Sequence, residues 1–123
     1  MKKEFTIRRN SEREVFRAYV EMIKPFLKGL RSRECDVFAE ILYQYSLRKN
    51  IQSKRDRFAL VLNGDGREII AETLNMSQAT LRNAVSSLRK KGLLKDDNTI
   101  ADVYLLSLQE NSVGLSFVFK VGE

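Results

Sequence analysis

The feature that most restricts what this chain can fold into is a helix whose two ends and buried stripe are all written into residues 76 to 93. Ser77 is a good N-cap, and Met76 and Leu81 stand at the N′ and N4 positions of a hydrophobic staple. At the far end Gly92 follows Lys90 and Lys91 as a C′ glycine, and Leu93 is placed to close a Schellman motif onto Leu88. Turning about 100° per residue puts Leu81, Ala84, Val85 and Leu88 on one face and Ala79, Asn83, Ser86 and Lys90 on the other. Arg82 and Arg89 lie on one flank, Thr80 and Ser87 on the other.

A second, shorter helix is predicted just upstream. Asp65 is read as its cap with Glu68 in the capping-box position, Ile69, Ile70 and Leu74 form its inner face, and Asn75-Met76 break it. Two helices across such a break make residues 65 to 91 a helix-turn-helix, with Ser77 to Lys91 as the recognition helix. Its outward face is small and polar near the start, as a helix lying deep in a major groove needs, and cationic near the end, where a phosphate backbone would run. The spacing assigns base-edge contacts to Gln78, Arg82, Asn83 and Ser86, since Gln and Asn match adenine and Arg matches guanine. Ser77, Thr80, Arg89, Lys90 and Lys91 are assigned to phosphates. The same residues also suit an ordinary solvated face, with Lys90 and Lys91 merely complementing the helix dipole.

Charge supports an anionic partner, here double-stranded DNA. The chain has 123 residues and carries 22 Lys+Arg against 16 Asp+Glu, a net charge of +6. The excess is uneven: +3 over residues 1 to 17, +4 over 48 to 57, +5 over 82 to 95, and −4 over 96 to 123. The chain holds no histidine, which removes imidazole bases, Ser-His and Cys-His pairs and His-ligated zinc, and no Gly-rich phosphate loop is present. A non-enzymatic protein without cofactor or metal is expected. Cys35 is the single cysteine, read as structural or incidental in a reducing compartment. No apolar run reaches the roughly 18 residues of a membrane span, and residues 1 to 9 lack the apolar segment of a signal peptide, so a cytoplasmic location without membrane contact is expected.

The length suits one domain over residues 1 to 123, opening with a basic N-terminal arm at 1 to 10. Val15, Phe16, Tyr19, Val20 and Ile23 predict a helix over 11 to 24 capped by Ser11 with Glu14, interrupted at Pro25 and ending at Gly29. Ser32 is read as the cap of a helix to about Lys49, with Val37, Phe38, Ile41, Leu42 and Tyr45 as its buried stripe. Residues 50 to 56 read as a connector. The apolar run Arg57 to Leu62 is read as a short strand, and Asn63 to Gly66 as a turn. Val103 to Leu108 and the alternation of Val113, Leu115, Phe117, Phe119 and Val121 predict a hairpin turning at Gln109 to Ser112. The fold class is therefore α+β, in the order α-α-β-α-α-β-β, with residues 95 to 121 as wing and C-terminal hairpin.

Residues Met76 to Leu94 resemble the recognition helix of MarR-type winged helix regulators, in which a Ser-x-x-Thr-hydrophobic start leads to a Leu-x-x-Lys-Gly-Leu close. Leu30 to Phe38 is similar to that family's Leu-Thr-x-x-Glu/Gln-x-x-Val-Leu opening of its second helix. The likeness covers roughly residues 27 to 108 and implies a winged helix-turn-helix. Two departures stand out: Lys95-Asp96-Asp97-Asn98-Thr99 and Glu110 make an acidic wing where the family carries an arginine, and the last segment reads as strand where the family dimerises through helices. A homodimer, if formed, would then have to use the N-terminal helices or the final hairpin. A looser resemblance, on Leu88 to Gly92 and the short C-terminal strand, is to small winged-helix proteins of tailed phages of gut Bacteroidales.

Two functions follow. One is a DNA-binding transcriptional regulator that uses the recognition helix. The other is a winged-helix protein-interaction module, such as a phage virion assembly or connector component, in which a C-terminal edge strand adds to a partner's sheet.

Overall fold

The computed structural model describes residues 2–7, 12–27, 29–48, 50–95, 100, 107–111 and 114–120, the strands by their backbone alone. In chain order the elements are β1 (Lys2–Ile7), α1 (Glu12–Ile23), a 3-10 turn (Lys24–Phe26), α2 (Ser32–Ser46), α3 (Lys54–Leu62), α4 (Gly64–Leu74), α5 (Gln78–Lys90), β2 (Ser107–Asn111) and β3 (Gly114–Lys120).

The expected α+β winged helix is overturned. Among the described residues from Glu12 to Lys90 there are five α-helices and no strand, so the packed body is all-helical. The decisive change is at Arg57 to Leu62, which forms most of α3 rather than a strand. Ser53 caps this helix by accepting from the Asp56 N–H at 3.3 Å. Phe58, Val61 and Leu62 then fall at i, i+3 and i+4 and are buried, while Ala59 and Leu60 are exposed. A strand would have alternated faces; this segment buries one helical stripe.

α2 is the central element and touches each of the other four helices. Its expected stripe of Val37, Phe38, Ile41, Leu42 and Tyr45 is buried, but so are Cys35, Ala39, Glu40 and Gln44, because neighbours cover it on most sides. A charge in such a position must be matched. Glu40, 1% exposed, accepts from Arg13 Nε of α1 at 3.1 Å and from Gln44 Nε2 at 2.9 Å. Burial pushes the Cys35 thiol up, away from the reactive thiolate.

Helix ends differ from expectation in instructive ways. Pro25 sits in the 3-10 turn that follows α1, and Gly29 adopts φ +74°. α2 stops at Ser46 rather than near Lys49, and its N-cap is Arg31, whose N–H donates to the Glu34 carboxylate at 2.9 Å. The turn expected at Asn63 to Gly66 is the first turn of α4. Its cap is Asn63, not Asp65, with Oδ1 accepting from the Gly66 N–H at 2.7 Å. Gly66 is required there by close approach: a Cβ would lie 2.1 Å from the Val61 carbonyl oxygen at the end of α3.

The strands belong to the two ends of the chain. β3 pairs antiparallel with both neighbours in the order β1-β3-β2, with Lys2 opposite Lys120 and Ile7 opposite Leu115. Residues read as a basic arm are thus partly strand, and β3 is central rather than an edge, which removes the expected partner-accepting role of that strand. Asn111 pairs with Gly114, so Gln109 to Asn111 belong to β2 instead of the hairpin turn. Residues 96–99 of the expected wing and 101–106 lie outside the described residues; Leu94 and Ile100 form one antiparallel bridge. No helix among the described residues is long and apolar enough to cross a membrane.

Candidate nucleic-acid interface

α4 and α5 form a helix-turn-helix in which local chemistry fixes both ends of the turn. Asn75 takes the left-handed conformation at φ 52°, a geometry that asparagine tolerates better than most side chains. Its N–H bonds to the Glu72 carbonyl at 3.2 Å and the Met76 N–H to the Ala71 carbonyl at 3.0 Å, the paired bonds of a Schellman motif. Two residues on, the Ser77 hydroxyl accepts from the Thr80 N–H at 3.1 Å and starts α5. α5 ends by the same device: Gly92, at φ +82°, bonds to the Arg89 carbonyl at 3.1 Å, and the Leu93 N–H bonds to the Leu88 carbonyl at 3.0 Å. The helix therefore runs from Gln78 to Lys90, with Ser77 as N-cap and Lys91 as C-cap.

Leu81, Ala84, Val85 and Leu88 are buried, Leu88 completely. Truncating such a leucine typically costs about 2–5 kcal/mol, so this face holds the helix in one rotational setting. That setting leaves Gln78, Ala79, Arg82, Asn83, Ser86 and Lys90 exposed. The four residues assigned to base edges and Lys90 thus share one solvent-facing surface. Gln78 also leans back on α4, its Nε2 donating to the Arg67 carbonyl at 3.4 Å. Ser77 and Thr80, both exposed, bond to each other through their hydroxyls at 2.9 Å, which completes the cap at the mouth of the helix.

The chain matches no protein-family model, no curated protein and no solved structure.

Two sequence-assigned phosphate contacts sit differently from the rest. Lys91 is half-buried and turned toward α2: its ammonium pairs with the Glu34 carboxylate at 2.6 Å and donates to the Gly29 carbonyl at 2.5 Å. Burial alone would raise the Glu34 pKa, but the Arg31 N–H, Lys91 and the Ser87 hydroxyl outweigh it and hold the group at about 2. Arg89 is half-buried on the opposite flank, lining a groove between α3 and α4 with Arg55 and Arg67.

Residues that sequence reasoning missed are those that orient α5. Glu34 ties the first turn of α2 to the end of α5, and Arg33 Nη1 donates to the Leu74 carbonyl at the end of α4, 3.3 Å away. Both contacts span tens of residues, and only the Glu at the third position after Arg31 left a local trace, as a capping signal for α2. No group of three or more metal-ligating side chains occurs among the described residues.

Proposed function

We propose that this protein is a sequence-specific regulator of transcription that binds double-stranded DNA through α5 of a helix-turn-helix carried on an all-helical body. The observation that supports this reading is the outward face of α5. Small and polar side chains (Ala79, Asn83, Ser86) occupy the part that would approach base edges, with Gln78 and Arg82 beside them and Lys90 at the end, all exposed. An α-helix fits the major groove of B-DNA, and amide and guanidinium side chains carry the donor and acceptor patterns that distinguish adenine and guanine there. Arg89 at the end of the helix, and Ser77 and Thr80 at its start, serve the phosphate backbone. Lys91 acts differently: paired with Glu34, it sets the angle at which the helix is presented. Such a protein works where the genome is, in the cytoplasm of a bacterial cell or an infected host.

The test is a fluorescence-anisotropy titration of genomic duplex fragments at graded salt. The expected result is a preferred fragment whose binding weakens steeply as salt rises, because bound cations displace counterions from the DNA. Absence of binding, or binding indifferent to salt, would overturn the reading.

A further inference from the structure

The basic run at residues 48 to 57 is not used by the recognition helix, yet the fold carries part of it to the flank of α5. Arg48 and Arg57 serve the fold: Arg48 Nη1 donates to the Gln44 carbonyl at 2.9 Å, and Arg57 Nε donates to the Tyr45 carbonyl at 2.7 Å with its guanidinium 3.9 Å from the centre of the Tyr45 ring. Arg55, the second residue of α3, is exposed. It lines a groove of about 310 Å³ together with Arg67 of α4 and Arg89 of α5, over a floor that includes Phe58, Leu62 and Asn63. Among the described residues no carboxylate lines this groove. Arg67 is braced by its own Nε, which donates to the Leu62 carbonyl at 2.9 Å, so one guanidinium is held in place at the wall.

We infer that this three-arginine groove is a phosphate site for the backbone of the same duplex that α5 reads, to which α3 adds Arg55 from outside the helix-turn-helix. The inference rests on the proposed function and extends it. Two features favour a backbone phosphate as occupant. The charge is complementary, since three arginines and, among the described residues, no carboxylate line the groove, and arginine forks match phosphate oxygens. The groove is also continuous with α5, because Arg89 is both a wall of the groove and a member of the flank that carries Arg82. A duplex lying along that helix face would bring a strand of its backbone past Arg89 toward Arg55. The site supplies affinity and register without reading sequence.

The test uses the full chain and its preferred duplex. Arg55→Gln removes one exposed cation and leaves the core untouched. It is expected to weaken binding about fivefold at low salt, equally for preferred and scrambled duplexes, and to lower the slope of log affinity against log salt by about 0.9. Arg55→Lys should restore the slope. Walking a single neutral methylphosphonate along each strand should find a position that costs the wild type affinity and costs Arg55→Gln nothing. If the wild type binds but Arg55→Gln keeps its slope and its methylphosphonate map, the groove is not a phosphate site while the DNA-binding reading stands. If the wild type binds no duplex, both fall together.

Discussion

The two flanks of α5 carry similar numbers of polar side chains and use them in opposite ways. On the α2 side, Ser87 and Lys91 turn inward onto Glu34, and the cation is consumed in holding the helix. On the α3/α4 side, Arg89 lines one groove together with Arg55 and Arg67, so three cationic side chains are gathered there. α5 therefore has a fixed side and a presenting side, and the basic balance of the chain is only partly available to a partner.

The largest effect is expected at Gly66, which sets how closely α4 approaches α3 and so shapes the arginine flank. Gly66→Ala drives a methyl group into the Val61 and Leu60 carbonyl oxygens, which are backbone atoms and cannot swing aside. A loss of about 3 kcal/mol is expected, read as a lowered Tm and a lower denaturant midpoint. An unchanged Tm would mean that the α3–α4 junction has room for a β-carbon at Gly66.

The α2 flank can be released next. Glu34 has a folded pKa of about 2, below its ordinary 4.5, so its contribution is fully present above about pH 4.5 and is lost as pH falls toward 2. Glu34→Gln should therefore cost on the order of 1–2 kcal/mol at pH 7, with the gap between variant and wild type closing as both are titrated from pH 5 to pH 2. A gap independent of pH would mean that the carboxylate is not held by Lys91 and the Arg31 N–H. A smaller effect is expected at the turn that aims α5 between its flanks. Asn75→Gly should be neutral or slightly stabilising, whereas Asn75→Ala should lose about 1 kcal/mol by forcing a β-carbon into the left-handed region without the asparagine amide. Equal stability of the two variants would contradict the left-handed geometry at Asn75.

What was legible in the sequence follows the range of the interaction. α5 was readable to within a residue because Ser77, Met76, Gly92 and Leu93 act on neighbours a few positions away, and its buried and exposed faces follow from the helical period. Those same signals carried the MarR resemblance, and any helix with these ends requires them, which is why they fixed one helix and did not fix the fold around it. α3 was misread because Phe58-Ala59-Leu60-Val61-Leu62 is apolar throughout and too short for periodicity to choose between strand and helix. The discriminating signal was present upstream in Ser53-Lys54-Arg55-Asp56, a capping pattern whose serine does bond to the Asp56 N–H. The α4 cap was misplaced by two residues because Asn63 and Asp65 are both good caps, and only the close packing at Gly66 selects Asn63. Glu34 to Lys91 and Arg33 to Leu74 left no pattern that sequence spacing could reveal, since chain topology alone brings them together.

The central claim, that α5 reads base edges from its exposed polar face, is tested most directly by the ratio of affinities for preferred and scrambled duplexes in wild type, Asn83→Ala and Arg82→Ala. Both side chains are exposed, so the variants should keep the wild-type Tm. Each should lower the ratio by roughly five- to 150-fold, the loss of about 1–3 kcal/mol of base discrimination, while retaining salt-dependent binding to any duplex. A ratio that stays at the wild-type value in both variants would contradict the account.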